Sequence, residues 1–209
     1  MALLNLRNRE IQLKIVYYGP GKSGKTTNLF YIYNKCRERI RSKMINLDTF
    51  GERTLFFDYL PVDLGKVNGF NVIVQLYTVP GQEKYDATRK LLLNGVDGIV
   101  FVADLMEVRR KKNILSLNNL SANLKKNNKN IFKIPLIFQF NKVDLAHNCI
   151  PILQQKTLCS DLNRKLMRPY YVTSAIRGTN VIKTLKHVIK LTYTDLKDSM
   201  KFANSTGKC

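Results

Sequence analysis

The sequence predicts an α/β domain, built on a mixed but mostly parallel sheet with helices on both faces. Three observations carry this. Strand-like and helix-like periodicities alternate from one end of the chain to the other, the pattern that right-handed strand–helix–strand units produce. Two short runs, Gly98–Ala103 and Ile134–Phe140, are largely apolar with little alternation, as strands covered on both faces must be. The first strand also leads through a glycine-rich loop directly into a helix, the order found in phosphate-binding P-loop folds.

Ile11–Tyr18 is rich in β-branched and aromatic residues and stops at Gly19-Pro20-Gly21, so it is expected to be a strand. A helix should begin at Thr26. Its residues Leu29, Ile32, Tyr33, Cys36 and Ile40 recur at helical spacing and share one buried face. Residues 42–56 have no clean period and are expected to form a loop. Gly69–Tyr77 alternates Phe70, Val72, Val74 and Leu76, which gives a strand with one more apolar face. After the central run at Gly98–Ala103, Ile114, Leu117, Leu120 and Leu124 mark a second helix. Ile134–Phe140 and the short Tyr170–Thr173 are strands. Val181, Ile182, Leu185, Val188, Ile189, Thr192 and Leu196 mark a last amphipathic helix. The expected organisation is one domain over 9–198 with a tail over 199–209. In such folds ligands sit at the carboxyl ends of the strands, so the loops after each strand are the places to look for chemistry.

Composition narrows the class. Lys and Arg number 35 against 15 Asp and Glu, a net charge of +20, while 44% of residues are hydrophobic. That apolar share excludes a disordered chain in spite of the charge. The charge is uneven. Residues 1–104 carry 15 basic and 10 acidic side chains, and residues 105–209 carry 20 and 5. From Arg109 to Lys133 there is no acid at all. Such a field attracts nucleic acid, anionic lipid or an acidic partner, although a bias toward Lys and Asn codons produces the same composition. Cys36, Cys149, Cys159 and Cys209 form no C-x-x-C pair and have no His at ligand spacing, which fits ordinary thiols in a reducing compartment. Met1–Glu10 lacks the apolar core of a secretory signal, and no apolar stretch approaches the ~20 residues of a membrane span. Cys209 is the last residue, whereas a prenylation box needs its Cys four from the end. A cytoplasmic location is expected.

Three loops carry the candidate chemistry. The first, Gly19-Pro20-Gly21-Lys22-Ser23-Gly24-Lys25-Thr26, matches G-x-x-x-x-G-K-[ST] in the strand-to-helix setting that the motif requires. Glycines let successive N–H groups turn toward one anion, and the positive end of the following helix points to the same place. Lys25 would neutralise the β- and γ-phosphates. The Thr26 hydroxyl is a hard oxygen ligand for Mg²⁺, and Thr27 continues the helix start. Lys22 is a cation at a loop position, more simply read as facing solvent. The second loop follows the Ile134–Phe140 strand and reads Asn141-Lys142-Val143-Asp144. A carboxylate at Asp144 can accept from N1–H and the 2-amino group of guanine; adenine offers no donor at that edge, and an unpaired buried carboxylate is costly. The Lys142 stem can cover the base plane. The third loop, Thr173-Ser174-Ala175, could turn a backbone N–H toward guanine O6.

Between them lies Thr78-Val79-Pro80-Gly81-Gln82. Together with Lys14–Asn34, Arg53–Asp58 and Gly95–Asp104, this stretch resembles the Ras-like small GTPases, and most of all their bacterial gliding-motility and polarity branch, the MglA family. The resemblance covers roughly residues 9–198. It implies a GTP-binding switch with a Ras-like G domain that turns GTP into GDP with Mg²⁺. It also implies roles residue by residue. Thr54 corresponds to the switch I threonine that senses the γ-phosphate through Mg²⁺. Gly81 corresponds to the switch II glycine whose N–H meets that phosphate. Gln82 would orient the attacking water, and Arg53 would supply positive charge to the transferred phosphoryl group. Most small GTPases have Asp where this chain has Thr78, so the metal site is expected to lose a negative charge and to hold Mg²⁺ more weakly. The resemblance further implies a Roadblock-type (MglB-like) activating partner over the switches, effectors that control polarity or surface motility, slow unassisted hydrolysis and clustering at cell poles. It implies no specific nucleic acid, and leaves contact with a membrane surface open. Two other function classes fit the residues: a nucleic-acid- or ribosome-associated GTPase, from the charge, and a non-catalytic nucleotide-binding scaffold.

Overall fold

A computed structural model of the chain describes residues 3–5, 8–40, 44–47, 57–81, 85–148 and 150–206. Among these described residues, eight strands form one sheet: β1 (Leu3–Asn5), β2 (Glu10–Tyr18), β3 (Ile45–Leu47), β4 (Phe57–Val67), β5 (Phe70–Thr78), β6 (Gly98–Asp104), β7 (Leu136–Asn141) and β8 (Tyr170–Thr173). Five α-helices accompany them: α1 (Lys25–Lys35), α2 (Asp86–Leu92), α3 (Arg110–Lys126), α4 (Gln155–Leu158) and α5 (Val181–Thr206). The strand order is β3-β4-β5-β2-β6-β7-β8. β5, β2, β6, β7 and β8 run parallel, and the β3–β4 and β4–β5 pairs are antiparallel. β1 pairs antiparallel with the first part of β2, Leu3 opposite Gln12 and Asn5 opposite Glu10, whereas β6 joins β2 only from Ile15 onward.

Alternation along the strands divides the core into two layers. Leu13, Ile15 and Tyr17 of β2 point to one face with Val74, Val100 and Ile137, where Leu29 and Ile32 of α1 and Val181, Leu185 and Val188 of α5 cover them. Val16 and Tyr18 point to the other with Phe101, Phe138 and Phe140, beneath Leu92 of α2 and Leu120 and Leu124 of α3. Every residue of β6 and β7 is buried, as their apolar runs require.

Several elements differ from the pattern read in the sequence: α1 stops at Lys35, and Ile40, expected on its buried face, bridges to Val62 instead. The stretch expected to be a loop contains the short strand β3, paired with β4 through Ile45–Tyr59 and Leu47–Phe57. β4 itself carries no clean alternation, because Pro61 interrupts it and the register shifts between Asp63 and Lys66, where Gly65 has φ +80°. The last helix runs on to Thr206, beyond residue 198. Three of the eight cations in the basic stretch from Arg109 have specific partners. Arg110 donates to both carboxylate oxygens of Asp161 at 2.7 and 2.9 Å, Lys126 lies 3.8 Å from Asp86, and Arg109 turns inward.

Candidate functional site

The loop Gly19–Thr26 lies at the carboxyl end of the central strand β2, and Lys25 is the first residue of α1. Gly24 sits at φ +98°, and a Cβ there would meet the Asn141 side-chain amide at 2.2 Å. Only glycine allows the phosphate loop to lie this close to the loop after β7. Asn141 uses the contact. Its Nδ2 donates to the Ser23 carbonyl at 2.8 Å, while its Oδ1 accepts from the Ala175 N–H at 2.9 Å and the Thr173 hydroxyl at 3.2 Å. One buried side chain thus fastens together the three loops singled out in the sequence.

A cavity of about 480 Å³ opens between them. Lys22, Gly24, Lys25, Thr26 and Thr27 form one end; Asn141, Lys142, Asp144 and Ala175 form the other. Met106, Leu145, Ile150 and Ile176 add apolar wall at the second end, suited to the faces of a flat base. Lys22 is exposed at φ +64°. Ser23 and Ser174 are buried behind the wall: Ser23 offers its carbonyl to Asn141, and the Ser174 hydroxyl accepts from the Arg177 N–H at 3.2 Å. Lys142 does not lie free over the cavity. Its Nζ donates to Asp104 Oδ2 at 2.7 Å. His187 is half-buried, with its Nδ1 2.9 Å from the Tyr171 hydroxyl.

Lys25 is buried, and its Nζ donates to the carbonyls of Gly19 at 2.9 Å and Pro20 at 2.8 Å. Burial, together with the positive charges of Arg89 and Arg109, lowers its pKa to about 7, while Asp58 pulls the other way. A group held this way favours a strongly anionic neighbour, which would restore its full charge. On the far side of the loop, Gly21 and Gly81 meet. The Gly21 N–H donates to the Gly81 carbonyl at 3.1 Å, and a Cβ on Gly81 would lie 2.2 Å from Gly21 Cα. A second cavity, of about 840 Å³, lies beside this seam between α2 and α3, lined by Arg89, Arg109 and Lys112 among others.

The expectation that Thr78 leaves the metal site short of a carboxylate is incomplete. Thr78 Oγ1 donates to Asp58 Oδ2 at 2.7 Å and accepts the Asp58 N–H at 3.0 Å. Asp58 is buried, and it acts electrostatically on Lys25. The Thr26 hydroxyl and the Asp58 carboxylate are both hard oxygen donors, the chemistry that Mg²⁺ takes. This donor set fits that ion. The residue pairing that reveals Asp58 is antiparallel: Tyr59 faces Tyr77, so Asp58 stands beside Thr78. A search for a carboxylate on the strand next to Thr78 could have found it, but the sequence does not declare β4. Arg53, Thr54 and Gln82 lie outside the described residues.

Comparison with known proteins bears on the same residues. The model of the Ras family matches residues 14–194. The chain belongs to the Ras family. Within it, this Ras-family chain is 48% identical over 197 residues to the mutual gliding-motility protein MglA of Myxococcus xanthus, which covers 94% of this chain and 98% of that one. It is 27% identical over 185 residues to the Ras-related protein Rab-27B of Rattus norvegicus, covering 86% and 78%. It is an MglA-like small GTPase. No described helix is long and apolar enough to cross a membrane.

Proposed function

We propose that this Ras-family protein is a switch that binds guanine nucleotides, hydrolyses GTP to GDP, and serves gliding motility or cell polarity through partners that distinguish the two forms. The observation that supports this most is the cavity that joins the phosphate loop to the Asn141–Asp144 loop through the Asn141 side chain. The P-loop amides and Lys25 would hold the phosphates, and the helix start at Thr26 and Thr27 adds favourable dipole. Asp144 would accept from N1–H and the 2-amino group of guanine, and the Ser174–Ala175 side of the cavity would face O6, although the Ala175 N–H itself is donated to Asn141 Oδ1. Met106, Ile150 and the stem of Lys142 would bound the ring faces.

Mg²⁺, when bound, supplies positive charge to the β- and γ-phosphates; Thr26 and Asp58, with Thr54, would hold it, and Thr78 orients Asp58. Gly81, fixed against Gly21, would present its N–H to the γ-phosphate. Gln82 would orient a water for in-line attack. Arg53 would offset the charge that develops on the transferred group, a role that is worth ~10³–10⁵ in rate where such an arginine is positioned. Release of the γ-phosphate would remove what Thr54 and Gly81 are proposed to sense, and so would change the surface offered to partners. The relative's name ties it to gliding motility, which motivates the proposed process. A Roadblock-type activating partner over the switches, slow hydrolysis without it, and clustering at cell poles in the cytoplasm complete the proposal.

Calorimetric titration with GDP, GTP and ATP, followed by single-turnover phosphate release with and without Gln82→Leu, tests it. Binding of the guanine nucleotides with at least a hundredfold (~2.7 kcal/mol) preference over ATP, and release that Gln82→Leu abolishes, is the expected result. Equal binding of ATP would overturn the nucleotide assignment, and binding without release in the presence of its partner would leave a scaffold.

A further inference from the structure

Arg109 stands out from the basic stretch that it begins. It closes a short 3₁₀ turn, Glu107–Arg109, just ahead of α3. Its Nη2 donates to the carbonyl of Gly21 in the phosphate loop. Its Nε lies 3.7 Å from Asp104 Oδ2, an ion pair but too long for a hydrogen bond. The Asp104 side chain is fully buried, and the same Oδ2 accepts from Lys142 Nζ at 2.7 Å. Asp104 is itself held in place. Its Oδ1 accepts the Met106 N–H at 3.0 Å. Its backbone is clamped by the Asn113 amide, which accepts the Asp104 N–H at 2.9 Å and donates to its carbonyl at 2.8 Å. Asn113 lies in the first turn of α3, so the turn that carries Arg109 is fixed to the end of β6.

We propose that Arg109 is a positioning residue that bridges the phosphate loop at Gly21 to Asp104, and through Asp104 to Lys142 of the base-side loop. The guanidinium fork suits this work, since it can point donors at a carbonyl and a carboxylate at once, which the single ammonium of Lys cannot do with the same geometry. Gly21, whose carbonyl Arg109 holds, donates its N–H, on the preceding peptide group, to the Gly81 carbonyl. Arg109 therefore sets the orientation of the seam on which the Gly81 N–H depends. That N–H is needed for a third phosphate and not for a second. The inference rests on the guanine-nucleotide reading above, and its consequence is selective. Arg109 contributes to the preference for a triphosphate over a diphosphate.

The test uses the full chain, with Arg109→Ala and Arg109→Lys, and measures binding of fluorescent GDP and of a non-hydrolysable fluorescent GTP analogue in the presence of Mg²⁺. Loss of the charged donor on the Gly21 carbonyl, with its ion pair to Asp104, predicts an affinity for the analogue roughly tenfold lower, with GDP changed by less than about twofold. Arg109→Lys should behave like Arg109→Ala, because charge alone does not restore the fork. Should Arg109→Ala fail to fold, Arg109→Lys carries the same expectation. Unchanged analogue binding in both variants overturns the proposal. So does an equal loss for GDP and the analogue that Lys restores, which would mark a long-range charge effect. A wild-type chain that binds neither guanine nucleotide would fail the underlying reading itself, and a wild-type chain that binds both while the variants match it would fail only this one.

Discussion

The Thr78 hydroxyl and the Asp58 carboxylate are hydrogen-bonded at 2.7 Å across an antiparallel strand pair. The negative charge that a neutral Thr removes from the end of β5 is present one strand away, and Thr78 both fixes it and caps the Asp58 N–H. If Asp58 supplies that charge to the metal, Mg²⁺ binding depends on Asp58 rather than on a carboxylate at position 78. Asp58→Asn should weaken Mg²⁺-dependent nucleotide binding by about ten- to a hundredfold, the range expected for losing a charged partner of ~1.5–3 kcal/mol. Thr78→Asp should give no gain, because two adjacent carboxylates repel and one is driven toward its protonated form. Mg²⁺ titrations monitored by nucleotide dissociation decide this; tighter metal binding in Thr78→Asp would show that Asp58 does not supply the missing charge.

Lys25 gives a proton linkage with a definite sign. Its pKa is lowered from 10.5 to about 7 by burial first and by Arg89 and Arg109 in part. Between about 7 and 10.5 the folded chain therefore binds fewer protons at this site than the unfolded chain, so this contribution makes folding more favourable as pH rises through that window and is unfavourable below it. Lys25→Met should remove the trend, measured by urea unfolding from pH 6.5 to 9.5. A phosphate at the loop restores the charge. GDP binding at pH 8 should thus take up a fraction of a proton, visible as a dependence of the calorimetric enthalpy on buffer ionisation heat, and Lys25→Met should bind weakly and without uptake.

Asp144→Asn is expected to exchange purine preference. The amide keeps one acceptor and gains an N–H₂, which suits the carbonyl that xanthine carries at position 2 and opposes the 2-amino group of guanine. Competition between GDP and XDP should shift toward XDP by an order of magnitude or more, since a mismatched polar pair costs ~1–3 kcal/mol. An unchanged GDP to XDP ratio would place the base elsewhere.

Asn141→Ala removes the fastening of the three loops. It leaves the Ser23 carbonyl and the Ala175 N–H without their partner in a buried place, so unfolding free energy should fall by about 2–4 kcal/mol, and nucleotide affinity should fall with it. Chemical denaturation reports the first effect, fluorescence titration the second.

Much of this arrangement is written locally. The unbroken apolar run of β6, the phosphate-loop spacing and Asn141-Lys142-Val143-Asp144 each follow from neighbours in the chain, and the structure gathers Lys25, Thr26, Asn141 and Asp144 around one cavity. What the chain order hides is partnership between strands. Pro61, Asp63 and Gly65 blur β4, and with β4 unrecognised nothing points to Asp58 beside Thr78. Arg109 looks like one cation among eight between positions 109 and 133, because its distinguishing contacts, Gly21 and Asp104, lie 88 and 5 residues away. The Lys142 ammonium belongs to Asp104, a pairing that the parallel alignment of β6 and β7, with Asp104 opposite Asn141, makes possible and that the chain order does not show.

The seam between Gly21 and Gly81 is lopsided. A methyl at Gly21 would find its nearest neighbour at 3.6 Å, an ordinary contact, whereas one at Gly81 would be driven into Gly21 Cα at 2.2 Å. Random mutation should therefore drift more freely on one bank of this join than on the other, and a library selected for retained nucleotide response would be expected to keep glycine at 81 while sampling alanine or serine at 21.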